Sequence, residues 1–320
     1  MLSPHIGWML GVAAAMMDTG TAFCADYPSK PIRLVTSELN GGSDIVARLV
    51  AQAASVNVGQ QIIVENRGGS GIIPGQIVAR ALPDGYTLLL YGSSIWLLPL
   101  LRDDVPFERV RDFAPITSLT TSPNVLVVHP SAPAQSIKDL IALAKSKSGA
   151  LNYGSGPAGT ASHLTAEMFK AMAGVNIVRV PYKGMAPALV DLITGEVQLV
   201  FATAGSVAPH VKSGRLKALA VTSPRSSPLF PGIPAVAASL PGYESVSMVG
   251  LFAPVKTPTV IVSRLNHEVV QVLGSAEIKD KLLNAGVEAA PGTPQQLEAA
   301  MRLETANLGK VIKDAGIRSE

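Results

Sequence analysis

Short apolar runs rich in β-branched residues alternate along this chain with longer segments in which apolar positions recur every three or four residues. The runs predict strands and the longer segments predict amphipathic helices. Such alternation is typical of an α/β protein with a largely parallel sheet. The predicted strands are Ile32–Thr36, Ile62–Glu65, Thr87–Tyr91, Val125–Val128, Leu151–Tyr153, Ile177–Val180, Val197–Phe201 and Ala218–Val221.

Helical periodicity follows most of these strands. A helix over residues 45–55 would carry Ile45 on its apolar face, and a helix after residue 160 would carry Leu164, Met168 and Met172 on its own. These amphipathic helices are expected to cover the sheet.

Two proline-punctuated stretches break the alternation. Residues 114–128 and 246–254 have strand character without a helix between the runs, as expected of segments that cross between two lobes. The chain after the second crossing reads as helix only, and such helices need an existing sheet to pack on. We therefore expect a discontinuous first lobe of residues 25–122 and 250–320, a second lobe of residues 123–249, and a ligand cleft between them. The tail helices are predicted at Thr259–Leu273, Ala276–Asn284 and Pro294–Asp314.

Two glycine-rich turns join a strand to a helix at this predicted cleft, one over residues 38–44 and one over residues 154–160. Glycine lets the backbone come close to a ligand, and the free N–H groups and the dipole of a helix start attract anions. We predict that the two turns face each other, and that Thr160 or Ser162 caps the helix after the second turn.

The composition limits the class of protein. The chain has 320 residues, 48% hydrophobic and 15% charged, so it can bury a sizeable core and form two domains. Its formal net charge is only +3, and its lysines and arginines are scattered. This pattern indicates neither a nucleic-acid groove nor a membrane-binding patch.

The first 24 residues differ from the rest. Residues 6–17 are apolar and small residues follow, so residues 1–24 read as an export signal peptide cleaved before Ala25. The usual positive charge before the apolar core is missing. Cys24, the only cysteine, would allow a lipoprotein, but the three residues before it are a poor lipidation context. Cleavage leaves a chain without cysteine, which agrees with an oxidising compartment.

Several short motifs occur in the order typical of one family. They are Tyr27-Pro28-Ser29-Lys30-Pro31, Val64-Glu65-Asn66-Arg67, Pro83-Asp84-Gly85-Tyr86-Thr87, Tyr153-Gly154-Ser155-Gly156, Val180-Pro181-Tyr182-Lys183-Gly184 and Ala253-Pro254. With them, residues 27–317 resemble the periplasmic solute-binding receptors of tripartite tricarboxylate transporters, the Bug family. The resemblance implies a two-lobed periplasmic-binding-protein (Venus flytrap) architecture that closes on a small carboxylate-bearing solute, an organic acid or an amino acid, and delivers it to membrane transporter subunits.

The resemblance also implies that backbone amides, hydroxyls and water hold one carboxylate of the solute, without a cofactor. Glu38 departs from the family pattern. If the Glu38 side chain points into the cleft, it would favour a zwitterionic solute that carries an amino group. If it points to solvent, the cost of burying an unpaired carboxylate is avoided. The carried-over turn residues are Ser37, Glu38, Asn40, Gly41 and Gly42 in the first turn and Gly154, Ser155, Gly156, Gly159 and Thr160 in the second.

Four further residues are candidates for the ligand site. The hydroxyls of Ser93 and Thr203 stand where a predicted strand gives way to a turn. His163 lies in the first turn of a predicted helix, where contact with the solute and simple packing are equally open. Tyr182, next to a glycine, would form an aromatic wall of the cleft.

Two alternatives belong to other classes of function. Residues 154–159 satisfy G-x-G-x-x-G, the dinucleotide-binding motif, so an NADP-dependent oxidoreductase is one alternative, with Arg179 binding the 2′-phosphate. Two features of the sequence oppose it. Pro157 removes a backbone amide from the loop, and no acidic residue that could bind the ribose ends the next strand. The histidines lack metal-binding spacing and no nucleophile elbow is present, so we expect no metal and no enzyme activity. A receptor that signals to a membrane sensor is the other alternative. We expect a monomer.

Overall fold

The computed structural model of the chain describes residues 27–36, 42–68 and 71–318. The predicted signal peptide with Cys24 lies outside these ranges, and so do the first-turn residues Ser37, Glu38, Asn40 and Gly41. Within them the chain forms two α/β lobes. The strands are β1 Ile32–Thr36, β2 Ile62–Asn66, β3 Thr87–Gly92, β4 Phe113–Val128, β5 Asn152–Ser155, β6 Val178–Pro181, β7 Leu199–Thr203, β8 Lys217–Val221, β9 Val246–Pro254 and β10 Glu288–Ala289.

Helices connect most of these strands, as the alternating pattern predicts. They are α1 Gly42–Val58, α2 Ile72–Ala79, α3 Ser94–Leu101, α4 Arg109–Asp112, α5 Ile137–Ser146, α6 Ala161–Ala173, α7 Met185–Thr194, α8 Ala204–Lys212, α9 Thr259–Gly274, α10 Ala276–Asn284 and α11 Pro294–Asp314, with a short 3-10 helix at Val236–Ala238.

The first lobe is built on three parallel strands in the order β2, β1, β3, with β9 antiparallel beside β3. Helices α1, α9 and α10 cover one face, where Leu34, Leu90, Val46 and Leu265 belong to one buried cluster. Because α1 follows β1 and α3 follows β3, both helices begin at the carboxyl edge of this sheet.

The second lobe is built on the parallel strands β6, β5 and β7. One side of this sheet packs Val200 and Val207 with α7 and α8, and the other packs Phe169 against Phe201 and Tyr243. Helix α6 follows β5 and α8 follows β7. These two helices therefore also begin at a carboxyl edge.

Strand β4 is 16 residues long and joins the two sheets. Its residues 113–123 pair antiparallel with β9, and its residues 124–128 pair antiparallel with β7. The strand character predicted for residues 114–128 and 246–254 is confirmed. Helix α11 packs against β4, α3 and α6, so it contacts elements of both sheets.

Three details differ from the sequence prediction. The prediction that the tail contains only helices is wrong, because the tail also holds the two-residue strand β10. Strand β10 pairs antiparallel with β4, and its formation depends on that partner. Ile45 and Met172 are not core residues, since they are 42% and 38% exposed. The buried faces of α1 and α6 instead centre on positions such as Val46 and Met168. Within the described ranges, no helix combines the length and apolarity needed to cross a bilayer.

Candidate ligand-binding site

A cavity of about 500 Å³ lies where the two lobes meet. Its wall includes residues that follow the carboxyl ends of β1, β3, β5 and β7. Ligands of open α/β sheets bind at this position, beyond the carboxyl ends of the strands. The residues at these four strand ends are Ser43, Ser93, Ser94, Gly159, Thr160, Ala161, Thr203 and Gly205.

Four helices, α1, α3, α6 and α8, begin at this cavity. The N-cap residues of the last three are Ser93, Thr160 and Thr203, and within the described ranges none of their hydroxyls accepts a hydrogen bond from a backbone N–H of its own helix. Helices that begin elsewhere with serine or threonine do have such caps, at Ser136, Ser275 and Thr293. The helix starts at the cavity therefore keep N–H donors for a ligand, together with the positive end of the helix dipole.

The predicted second turn is divided between the cavity and the interior. Gly159 and Thr160 line the cavity. Ser155 is fully buried, and Gly154 is packed against Tyr182 and Ala188. Neither Ser155 nor Gly154 is part of the cavity wall, so the structure places this half of the turn behind the site.

Internal hydrogen bonds hold this turn in shape. Ser162 accepts the amide of Gly156 at 3.1 Å, and the Thr160 hydroxyl donates to a loop carbonyl. Thr160 is the N-cap residue of α6, as predicted, but its hydroxyl accepts no backbone N–H of the helix. Arg179 donates to the Ser155 hydroxyl and to the Gly156 carbonyl, each at 2.9 Å. The guanidinium considered above as a partner for a 2′-phosphate is therefore bonded to the turn itself.

His163 lies behind the same turn and is 5% exposed. Its Nδ1 accepts the amide of Gly159 at 3.2 Å. Burial, helped by the positive charge of Arg179, lowers the pKa of His163 to about 4, so the ring is neutral near pH 7. His163 is not among the residues that line the cavity, and its visible contact fixes the loop.

Tyr182 likewise does not line the cavity. Its hydroxyl donates to Asp191 at 2.7 Å, and its ring lies against Gly154. Burial and the hydrogen bond to Asp191 raise the pKa of Tyr182 to about 12. In this conformation the ring supports the turn from outside.

The remaining predicted residues stand closer to the cavity. Ser93 and Thr203 both line it. Gly42 is the first residue of α1, and the next residue, Ser43, is part of the wall. The other first-turn residues lie outside the described ranges.

Polar residues that sequence reasoning missed complete the wall. Thr120, Ser122 and Asn124 project from β4, and Ser245 and Ser247 stand at the start of β9. The Thr120 hydroxyl is buried without a hydrogen-bond partner among the described residues. The missed signal was a polar residue at every second position, which places these side chains on one face of a strand.

The charge of the cavity wall is unusual for an anion site. Among the described residues that line it there is no lysine or arginine, and Glu304 from α11 is the charged side chain there. No group of three metal-ligating side chains is found in the described part of the chain. An anion in this cavity would thus be met by N–H groups and hydroxyls.

Comparisons with known proteins agree with this architecture. A model of the family described as Tripartite tricarboxylate transporter family receptor (TctC) matches residues 46–317. A UPF0065 protein in the tcbD-tcbE intergenic region of Pseudomonas sp. (strain P51) is 35% identical over 310 residues, covering 95% of this chain and 92% of that protein. Protein BugT of Bordetella pertussis is 31% identical over 316 residues, covering 97% of each chain.

Solved structures extend the comparison to the fold. R. palustris Rpa4515 with adipate is 37% identical, with a TM-score of 0.76, and the match covers 92% of this chain and 99% of that one. MatC (Rpa3494) from Rhodopseudomonas palustris with bound malate is 26% identical, with a TM-score of 0.70, covering 89% and 100%. The family predicted from the motifs is confirmed: this chain belongs to the tripartite tricarboxylate transporter receptors, the TctC or Bug family of periplasmic solute-binding proteins.

Proposed function

We propose that this protein captures a small carboxylate-bearing solute between its lobes and delivers it to the membrane subunits of a tripartite tricarboxylate-type transporter, without chemical conversion of the solute. One observation carries the proposal: within the described ranges, the hydroxyls of the serine and threonine N-caps at the cavity accept no backbone N–H of their own helices, whereas the hydroxyls of Ser136, Ser275 and Thr293 elsewhere do. The adipate and malate bound to the two R. palustris relatives support a carboxylate as the ligand.

The lobes are proposed to comprise residues 25–122 with 250–320, and residues 123–249. Strands β4 and β9 would then be the two crossings, and bending there would open and close the cleft. Residues 1–24 are proposed to be a leader that directs the chain to the periplasm and is then removed.

The binding residues divide into two groups in this proposal. Ser93, Gly159, Thr160 and Thr203 would touch the solute, because they line the cavity. Ser37, Glu38, Asn40, Gly41 and Gly42 of the first turn are also proposed to bind the solute. The remaining predicted residues would support the second turn from behind, and these are Gly154, Ser155, Gly156, His163 and Tyr182.

Trp96 offers a direct test of solute capture. The chain has two tryptophans, and Trp8 lies in the proposed leader, so Trp96 is the sole source of tryptophan fluorescence in the chain from Ala25 onward. The Trp96 indole donates to Glu304, which lines the cavity, at 2.9 Å. We expect saturable changes in fluorescence with some mono- or dicarboxylates, and none with the matched uncharged amides of the same acids.

Thermal unfolding provides the second readout of the same titration. A solute at 100 times its dissociation constant stabilises the folded chain by about 2.7 kcal/mol. If no acid in a panel of aliphatic, aromatic and amino acids changes either the fluorescence or the melting temperature, or if the amides act as well as the acids, the proposal is wrong.

A further inference from the structure

One carboxyl group stands in an otherwise apolar stripe of α11. Leu297, Met301, Leu308 and Ile312 are buried, and their spacing of three or four residues includes Glu304 in the same stripe. Glu304 and Leu308 both line the cavity. A carboxyl group is seldom placed among buried apolar side chains unless it has a partner or a ligand.

The partners of Glu304 hold its carboxyl group at one end of the cavity. Trp96 donates its indole N–H to Oε2 at 2.9 Å. Trp96 belongs to the first turn of α3, so the carboxyl group of Glu304 stands beside that helix and not on its backbone N–H groups. A carboxylate has lone pairs for about four hydrogen bonds, which leaves room for a donor on the solute.

Burial raises the pKa of Glu304 to about 7, and the negative charge of Glu244 adds to the effect. The hydrogen bond from the Trp96 indole opposes the rise. The other elements packed on α11 bring few charges to this point. Helix α6 presents Glu167 and Lys170, which bond to each other at 2.7 Å. The charge of a solute in the cavity is therefore expected to change the protonation of Glu304 itself.

We propose that Glu304 determines specificity by selecting solutes whose second end donates a hydrogen bond, an ammonium or a hydroxyl group, over solutes that are dianions. The inference rests on the proposed function, in which the first end is a carboxylate held at the starts of α6 and α1. An ammonium group beside ionised Glu304 gains a charge-assisted hydrogen bond. A second carboxylate there meets a like charge, and it binds only when Glu304 takes up a proton.

The test uses matched solutes of four to six carbon atoms: the ω-amino acid, the ω-hydroxy acid and the dicarboxylate of each length. Dissociation constants are measured by calorimetry between about pH 6 and about pH 8.5 for the wild type and for Glu304→Gln. The glutamine keeps an acceptor for the Trp96 indole. The matched control is Glu298→Gln, an exposed glutamate of the same helix that pairs with Arg302.

The wild type should prefer the ω-amino acid over the dicarboxylate, and the preference should grow as the pH rises through 7. In Glu304→Gln the preference should fall roughly tenfold to a hundredfold, as expected when a hydrogen bond to a charged group is lost, and its pH dependence should disappear. Glu298→Gln should behave as the wild type does.

Several results would overturn the inference. If dicarboxylates bind as well as ω-amino acids at about pH 8.5, or if Glu304→Gln changes all solutes equally, Glu304 does not select the solute. If Glu38→Gln removes the preference and Glu304→Gln does not, the first turn carries the specificity instead. In these cases carboxylates still bind and the proposed function survives, whereas failure of every carboxylate to bind would remove both.

Discussion

A buried histidine behind the second turn connects the ligand loop to the stability of the fold. His163 accepts the amide of Gly159, and burial lowers its pKa from 6.5 to about 4. Between these two pH values the unfolded chain binds a proton that the folded chain does not bind. The contribution of His163 to stability is therefore fully present above pH 6.5 and is lost as the pH falls through 4.

Replacing His163 by asparagine should remove this acid sensitivity. Asparagine keeps an acceptor for the Gly159 amide but does not titrate. We expect the free energy of unfolding of the wild type to fall by up to about 3 kcal/mol through this window, and that of the variant to fall less. Denaturant unfolding at a series of pH values measures the difference. The exposed His267→Asn is the control, and equal slopes for wild type and His163→Asn would refute the assignment.

The sequence predicted the positions of the turn residues better than their roles. Ser155 ends β5 and Gly156 follows it, but their polar atoms bond to Arg179 and Ser162. Such bonds depend on how the loop folds back on its own helix, which residue spacing does not encode. Glu304 was missed because a helix far along the chain brings it to the cavity.

At the scale of elements, local signals predicted most boundaries. Helices α10 and α11 begin at the predicted residues because Ser275 and Thr293 cap them, and Pro294 suits the first turn of a helix. The alternation of strand and helix likewise predicted β1 at its observed bounds. Strand β10 could not be predicted, since its two residues become a strand only through pairing with β4.

A proline substitution at the start of α6 tests the backbone N–H donors, because it deletes one N–H and removes no polar side chain. Proline is tolerated at the first position of a helix, and Thr160 already has the extended backbone that a following proline requires. Ala161→Pro deletes one N–H at the cavity. We expect carboxylate affinity to fall roughly tenfold to a hundredfold, with little change in melting temperature.

Ala276→Pro is the matched control, because Ala276 opens α10 after an extended N-cap and is not part of the cavity wall. It should leave carboxylate affinity unchanged in the same calorimetric titration. If Ala161→Pro binds carboxylates as tightly as the control does, the N–H groups at the start of α6 do not hold the solute.

At the scale of the whole molecule, the cavity depends on contacts between distant parts of the chain. Gly159 lies so close to Leu101 that a side chain there would clash, and Gly286 approaches Gly205 in the same way. Ser122 donates to the Gly286 carbonyl at 3.0 Å. On the proposed lobe boundaries, two of these three contacts, Gly159 with Leu101 and Gly286 with Gly205, join the two lobes, as expected of a receptor that closes around its solute.

The central claim is that the solute carboxylate is bound by backbone amides at helix starts in this cavity. A crystal structure of the chain from Ala25 onward, with a carboxylate identified by titration, tests it most directly. The account predicts a carboxylate oxygen about 2.7–3.2 Å from the amide nitrogen of Ala161, within the cavity. A carboxylate bound outside the cavity, or held inside it by a lysine or arginine side chain with Ala161 free, would contradict the account.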